Sequence, residues 1–138
     1  MSESRAFFDT NVLLFLLSGD SRKSDLAEGL LVNGGVISVQ VLNEFASVAS
    51  RKLSLSWAEI REFLDTIRAV CRVEALTVDT HDQALRMSQR YGFSIYDSTI
   101  LASALLAQCN VVFTEDLQDG QIIEDRITIQ NPFTSIKK

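Results

Sequence analysis

The chain has 138 residues, of which 46% are hydrophobic and one is proline, and 18 acidic against 13 basic side chains give it a net charge of -5. That length and apolar content argue for one compact domain over residues 1–138, with a substantial core, and against an extended disordered chain. The acidic balance argues against a protein held on nucleic acid mainly by a bulk positive field, but not against a nuclease whose acidity is concentrated at a metal site.

In chain order, AFF at 6 to 8 reads as a strand leading into FFDTNVLLFLL at 7 to 17, an apolar run interrupted by Asp9. A carboxylate in such a run is costly to desolvate, so it has to be paired, hydrogen-bonded or holding a metal. Asp20 or Ser21 caps a helix reaching about Val32, with Leu26, Leu30 and Leu31 inward and Gly34 and Gly35 as its stop. GVIS at 35 to 38 is a second strand, and Ser38 or Gln40 opens a helix that runs through Lys52. Ser56 caps the next, whose Ile60, Phe63, Leu64 and Ile67 share a face. A strand over residues 71 to 76 follows. Thr77 to Thr80 then opens a helix with Ala84, Met87 and Tyr91 inward and Gly92 at its end. Residues 96 to 109 form a helix that is apolar on most sides, before strands at NVVF, 110 to 113, and ITIQ, 127 to 130. Strands alternating with helices predict a three-layer α/β/α domain with a mainly parallel sheet.

The acidic residues fall into place on that frame. Asp9 follows the first strand, Glu44 lies about a turn into the helix after the second, Asp97 opens the apolar helix, and Asp116 follows the fourth strand. The edge beyond the carboxyl ends of the strands is where open α/β sheets bind ligands. Four carboxylates there repel one another unless a divalent cation offsets them. Their hard oxygen donors suit Mg²⁺ or Mn²⁺, which activate water and stabilise charge on a phosphodiester.

FFDTNVLL, NEF, YDSTILASA and FTEDLQDG, in that order across nearly the whole chain, resemble the PIN domain family, in particular the small VapC-type toxin ribonucleases of bacterial toxin-antitoxin pairs. The terminal ITIQNPF is also similar to the tail of one branch. The resemblance implies a five-stranded parallel sheet, Mg²⁺-dependent RNA cleavage, a homodimer and a partner antitoxin. Residue by residue, it assigns the acidic set to Asp9, Glu44, Asp97 and Asp116, with Asp119, about one turn on, as the alternative to the last. Asn11 and Thr114 are candidates for orienting carboxylates, and Ser98 stands beside Asp97.

Each motif also has a purely structural reading. Asp9-Thr10-Asn11 can cap a helix, Asn11 and Thr114 can be turn residues, and Asp119-Gly120 is a natural turn. Asp79 and Asp82, around the single histidine His81, suit a helix N-terminus. Asp9 could instead be the nucleophile of a phosphatase or phosphotransferase, although the second Asp usual two residues on is here Asn11. A noncatalytic interaction domain is the third reading. One histidine and two cysteines disfavour Ser-His-Asp chemistry and structural zinc, and Cys71 and Cys109 read as reduced core thiols. Arg51, seven residues after Glu44, falls two turns along the same helix face. With Lys52, it is the candidate RNA-phosphate contact, and Arg22 and Lys23 extend a possible basic edge. MSESRAFF shows no secretory-leader pattern and no apolar run approaches a membrane span, so the expectation is a cytoplasmic protein without membrane contact.

Overall fold

The structure, a computed structural model, describes residues 5–134. The leader reading of MSESRAFF lies partly on residues 1–4, outside the described residues. β1 (Ala6–Phe8) leads through α1 (Thr10–Leu14), a 3-10 turn (Phe15–Leu17) and α2 (Ser21–Leu31) to β2 (Gly35–Ser38). Then come α3 (Val39–Arg51), α4 (Trp57–Val70), β3 (Cys71–Glu74), α5 (Val78–Tyr91), α6 (Ile95–Leu106), β4 (Val111–Phe113), β5 (Ile122–Ile123) and β6 (Ile127–Gln130).

The strand order is β3-β2-β1-β4-β6-β5, with only the β5-β6 pair antiparallel. The chain steps from β1 to β2 to β3 in one direction, then returns through α5 and α6 to place β4 on the other side of β1. Parallel crossovers are right-handed, so the outward and returning helices cover opposite faces of the sheet. The order reverses at the β1/β4 seam, which creates a switch point at the carboxyl ends of those two strands.

Local chemistry explains the element ends. Ser56 and Glu59 form a reciprocal capping box at the start of α4, and the Ser38 hydroxyl accepts from Val41 N–H at the start of α3. Gly92 ends α5 in the left-handed region at φ 81°, where a side chain would be strained. Gly35 answers a different need, since a Cβ there would collide with the Phe8 ring. Phe7, Phe8, Val36, Ile37, Val112 and Ile129 are buried along the central strands, and the Phe8 and Phe113 rings stack across the seam at 5.7 Å.

Some expectations shift. The sheet has six strands instead of five, because Ile122–Ile123 adds a short antiparallel edge. Two residues are too few to register as a period. The turn joining β5 to β6 places Glu124 and Asp125 in the left-handed region without glycine, and Tyr91 Oη holds it by accepting from Glu124 N–H and donating to the Glu124 carboxylate. The apolar helix ends at Leu106, before the expected Cys109, where Gln108 turns left-handed at φ 62°. Phe63, expected inward, is 37% exposed. Cys71 and Cys109 are free and buried, and burial pushes both thiols up to about 11.

Candidate active site

Asp9 follows β1 directly and caps α1, so the strand-to-helix turn fixes its backbone. Its carboxylate is 5% exposed and accepts from Thr10 N–H at 2.7 Å on one oxygen and from Thr114 Oγ1 at 2.8 Å on the other. Thr114 follows β4, the strand paired with β1, and is itself buried. Its hydroxyl also accepts from Asp116 N–H at 3.1 Å, so one side chain ties the two carboxylate-bearing turns together. Asn11 completes the link: Nδ2 donates to Asp116 at 3.0 Å and Oδ1 accepts from Glu115 N–H at 3.3 Å.

Glu44 reaches the same place from the middle of α3. Its oxygens accept from Thr10 Oγ1 at 2.7 Å and from Gln40 Nε2 at 3.2 Å. Gln40 also donates to the Tyr96 carbonyl at 3.3 Å, which joins α3 to the start of α6. Asp97 stands in the first turn of α6, where Ser94 caps the helix.

Asp9, Glu44, Asp97 and Asp116 all line one cavity of about 360 Å³ at the carboxyl edge of β1 and β4. Burial is the chief reason Asp9 is pushed from 3.8 up to about 6, against the pull of its Thr114 and Thr10 hydrogen bonds, and the charges of Asp116 and Glu44 push it further up. Burial also raises Asp97, followed by the charge of Asp116. None of the four has an ion-pair partner among the described residues.

The donor set suits a hard divalent cation: every donor is oxygen, and burial, with a smaller push from neighbouring carboxylates, raises two of the carboxyls. Among the described residues, however, no three acidic groups form a ready cation cage. The hydrogen bonds from Thr10 and Asn11 instead hold Glu44 and Asp116 to the cavity wall.

The other expected residues separate. Asp119 is not part of the lining, and it accepts from Asn131 N–H at 2.7 Å. Ser98 is fully buried and bonds Ser88 of α5 at 2.7 Å, away from the carboxylates. Arg51 lines the far end of the cavity, where its Nε donates to Ser47 Oγ, whereas Lys52 caps α3 outside it. Sequence reasoning missed Thr10 and Gln40. The spacing of Gln40, four residues before Glu44 on one helix face, was the available signal.

A cluster of acidic side chains at the switch edge of a parallel sheet defines a class, and the PIN domain family model matches residues 6–118; the chain belongs to that family. Among solved structures, it is similar to a toxin-antitoxin complex from Klebsiella pneumoniae at 21% identity and a TM-score of 0.70, covering 92% of this chain and 97% of that one. It is also similar to VapC20 of Mycobacterium tuberculosis, a sarcin-ricin-loop-cleaving toxin, at 20% identity and a TM-score of 0.66, covering 80% and 89%. A third is VapBC2 of Rickettsia felis bound to a promoter DNA fragment, at 17% identity and a TM-score of 0.64, covering 91% and 97%. At these identities the likeness establishes the fold. No curated protein matches the chain in sequence.

Proposed function

We propose that the protein is a Mg²⁺- or Mn²⁺-dependent endoribonuclease and the toxin of a toxin-antitoxin pair. The observation that carries this reading is the convergence of Asp9, Glu44, Asp97 and Asp116 on one cavity with no cationic side chain paired to them. Asp9, Asp97 and Asp116, with Glu44, would hold the cation. When bound, it would supply an activated water and charge stabilisation at the phosphodiester. The chain's own residues prepare the site. Thr114 and the Thr10 N–H orient Asp9, Asn11 holds Asp116, and Gln40 and Thr10 hold Glu44 at the cavity wall. Arg51, which lines the same cavity, would hold a flanking phosphate.

A nucleophilic Asp9 fits less well, because both its oxygens already accept hydrogen bonds and its side chain is buried. The likeness to a toxin-antitoxin complex and to VapBC2 supports a cognate antitoxin as partner. Val32, Phe63 and Val70, all exposed, line an apolar cavity between α2 and α4 that suits a protein partner. A homodimer in the cytoplasm is part of the same proposal, and among the described residues no helix is long and apolar enough to cross a membrane.

The test is RNA cleavage across a Mg²⁺ and Mn²⁺ titration, run beside a phosphatase assay. Divalent-dependent RNA cleavage that falls at least about a hundredfold in Asp9→Asn is the expected result. Phosphate-ester turnover without RNA cleavage would favour the nucleophilic reading, and neither activity would favour an interaction domain.

A further inference from the structure

Most aromatic rings of the described residues are occupied within the fold. Phe8 stacks on Phe113, Phe15 packs on Phe133, Phe45 on Phe63, and Tyr91 on Phe93. Tyr96 differs: it is 70% exposed, pairs with no other ring among the described residues, and lines the carboxylate cavity directly beside Asp97. Trp57 is similarly exposed at 69% but opens α4, outside that lining. The backbone at Tyr96 is tied to α3, since Gln40 donates to its carbonyl and to Glu44 at once.

One face of α3 supplies a wall of the cavity through Gln40, Glu44, Ser47 and Arg51. Gln40 and Arg51 are eleven residues apart, so this wall extends about 16 Å along the helix axis. Tyr96 stands at its beginning, Arg51 at its end, and Glu44 between them. That is the length of a few nucleotides, with an aromatic face at one end and a guanidinium at the other.

We infer that Tyr96 is a substrate-positioning residue of this site, its ring stacking on an unpaired base next to the cleaved phosphate. The inference rests on the ribonuclease reading above. Inside a duplex the faces of each base are covered by its neighbours, and an aromatic side chain reaches a base face only where the strand is unstacked.

The experiment compares wild type, Tyr96→Ala and Tyr96→Phe on a single-stranded RNA oligonucleotide and on its duplex, with Mn²⁺ present. Tyr96→Ala is expected to raise KM by roughly five- to a hundredfold, the range of one base stack, with a smaller change in kcat. Tyr96→Phe keeps the ring and restores KM, and the duplex is cleaved poorly by all three. A second readout stands without cleavage: Tyr96→Trp in a Trp57→Phe background, with single-stranded RNA expected to quench the introduced indole. An unchanged KM in Tyr96→Ala, equal damage from Tyr96→Phe, or an unquenched indole would overturn the inference. Dissociation of an oligomer by Tyr96→Ala with KM unchanged would overturn it too, assigning the ring to a contact between protein chains. If wild type cleaves no RNA with any divalent cation, the ribonuclease reading fails, and the quench still decides whether Tyr96 meets a base.

Discussion

At the starts of the strands, Arg5 and Arg72 border a cavity of about 500 Å³ with Asn33 and Gly34, while the carboxyl edge bears the four-carboxylate cavity of about 360 Å³. The two edges of one sheet thus carry opposite charge. Arg5 donates to the Ala107 carbonyl at 2.9 Å, and Arg72 donates to the same oxygen at 3.4 Å and pairs with Glu74 at 2.9 Å. Those cations tie the end of α6 to the strand starts. At the carboxyl edge, hydrogen bonds orient the carboxylates but no positive side chain pairs with them. Charge at one edge closes the fold, and charge at the other has no ion-pair partner among the described residues.

The largest effect on stability should come from Asp9. Its folded-state carboxyl titrates near about 6 against an ordinary 3.8, so between those values the folded protein binds the extra proton. The stability that Asp9 contributes when protonated is therefore lost as pH rises through that window, by roughly 3 kcal/mol at the plateau above it. Asp9→Asn keeps a capping side chain and removes this titration. Without divalent cation it should be more stable than wild type at pH 8, with the difference shrinking towards pH 4, measured by denaturant melts. A mutant equally or less stable at pH 8 would mean that burying the Asp9 carboxylate does not destabilise the fold.

At the other edge the sign reverses. Arg5→Ala with Arg72→Ala should lower stability by about 1–2 kcal/mol through lost charged hydrogen bonds, while Mn²⁺ affinity and cleavage stay near wild type. A loss of cleavage out of proportion to the loss of folded protein would break the division between the edges.

These contrasts follow the line between local and tertiary information. The caps at Ser38, Ser56 and Thr77, the stop at Gly92 and the placement of Asp9 after a strand were legible because each is written within a few adjacent residues. Asp116 and Asp119 were not separable, since three residues of turn decide which side chain enters the cavity and which binds Asn131. Ser98 sits next to Asp97 in sequence, yet successive helix residues point about 100° apart, and it faces α5. Thr10 was read only as part of a cap because its partner Glu44 lies 34 positions away. The sixth strand depends on a turn held by Tyr91, a contact across 33 positions.

A finer effect is expected at Thr114, whose hydroxyl stabilises the ionised form of Asp9. Thr114→Val should raise the Asp9 carboxyl further, moving the acidic limb of the cleavage profile to higher pH without abolishing activity. An unmoved limb would detach that limb from Asp9. Smallest of all, Arg51→Ala should reduce the salt slope of RNA binding by about one and Lys52→Ala by less, since only Arg51 lines the cavity. Equal slopes for wild type and Arg51→Ala would remove Arg51 from the RNA-binding surface.

The most direct test of the carboxylate cavity as a cation site is anomalous scattering from crystals soaked in Mn²⁺. A peak is expected in the cavity with oxygen ligands at about 2.0–2.2 Å, drawn from Asp9 and at least one of Glu44, Asp97 and Asp116, and it is expected to vanish in Asp9→Asn. A saturating soak that leaves this cavity without a peak, while the same preparation cleaves RNA with Mn²⁺, would contradict the cation-site reading.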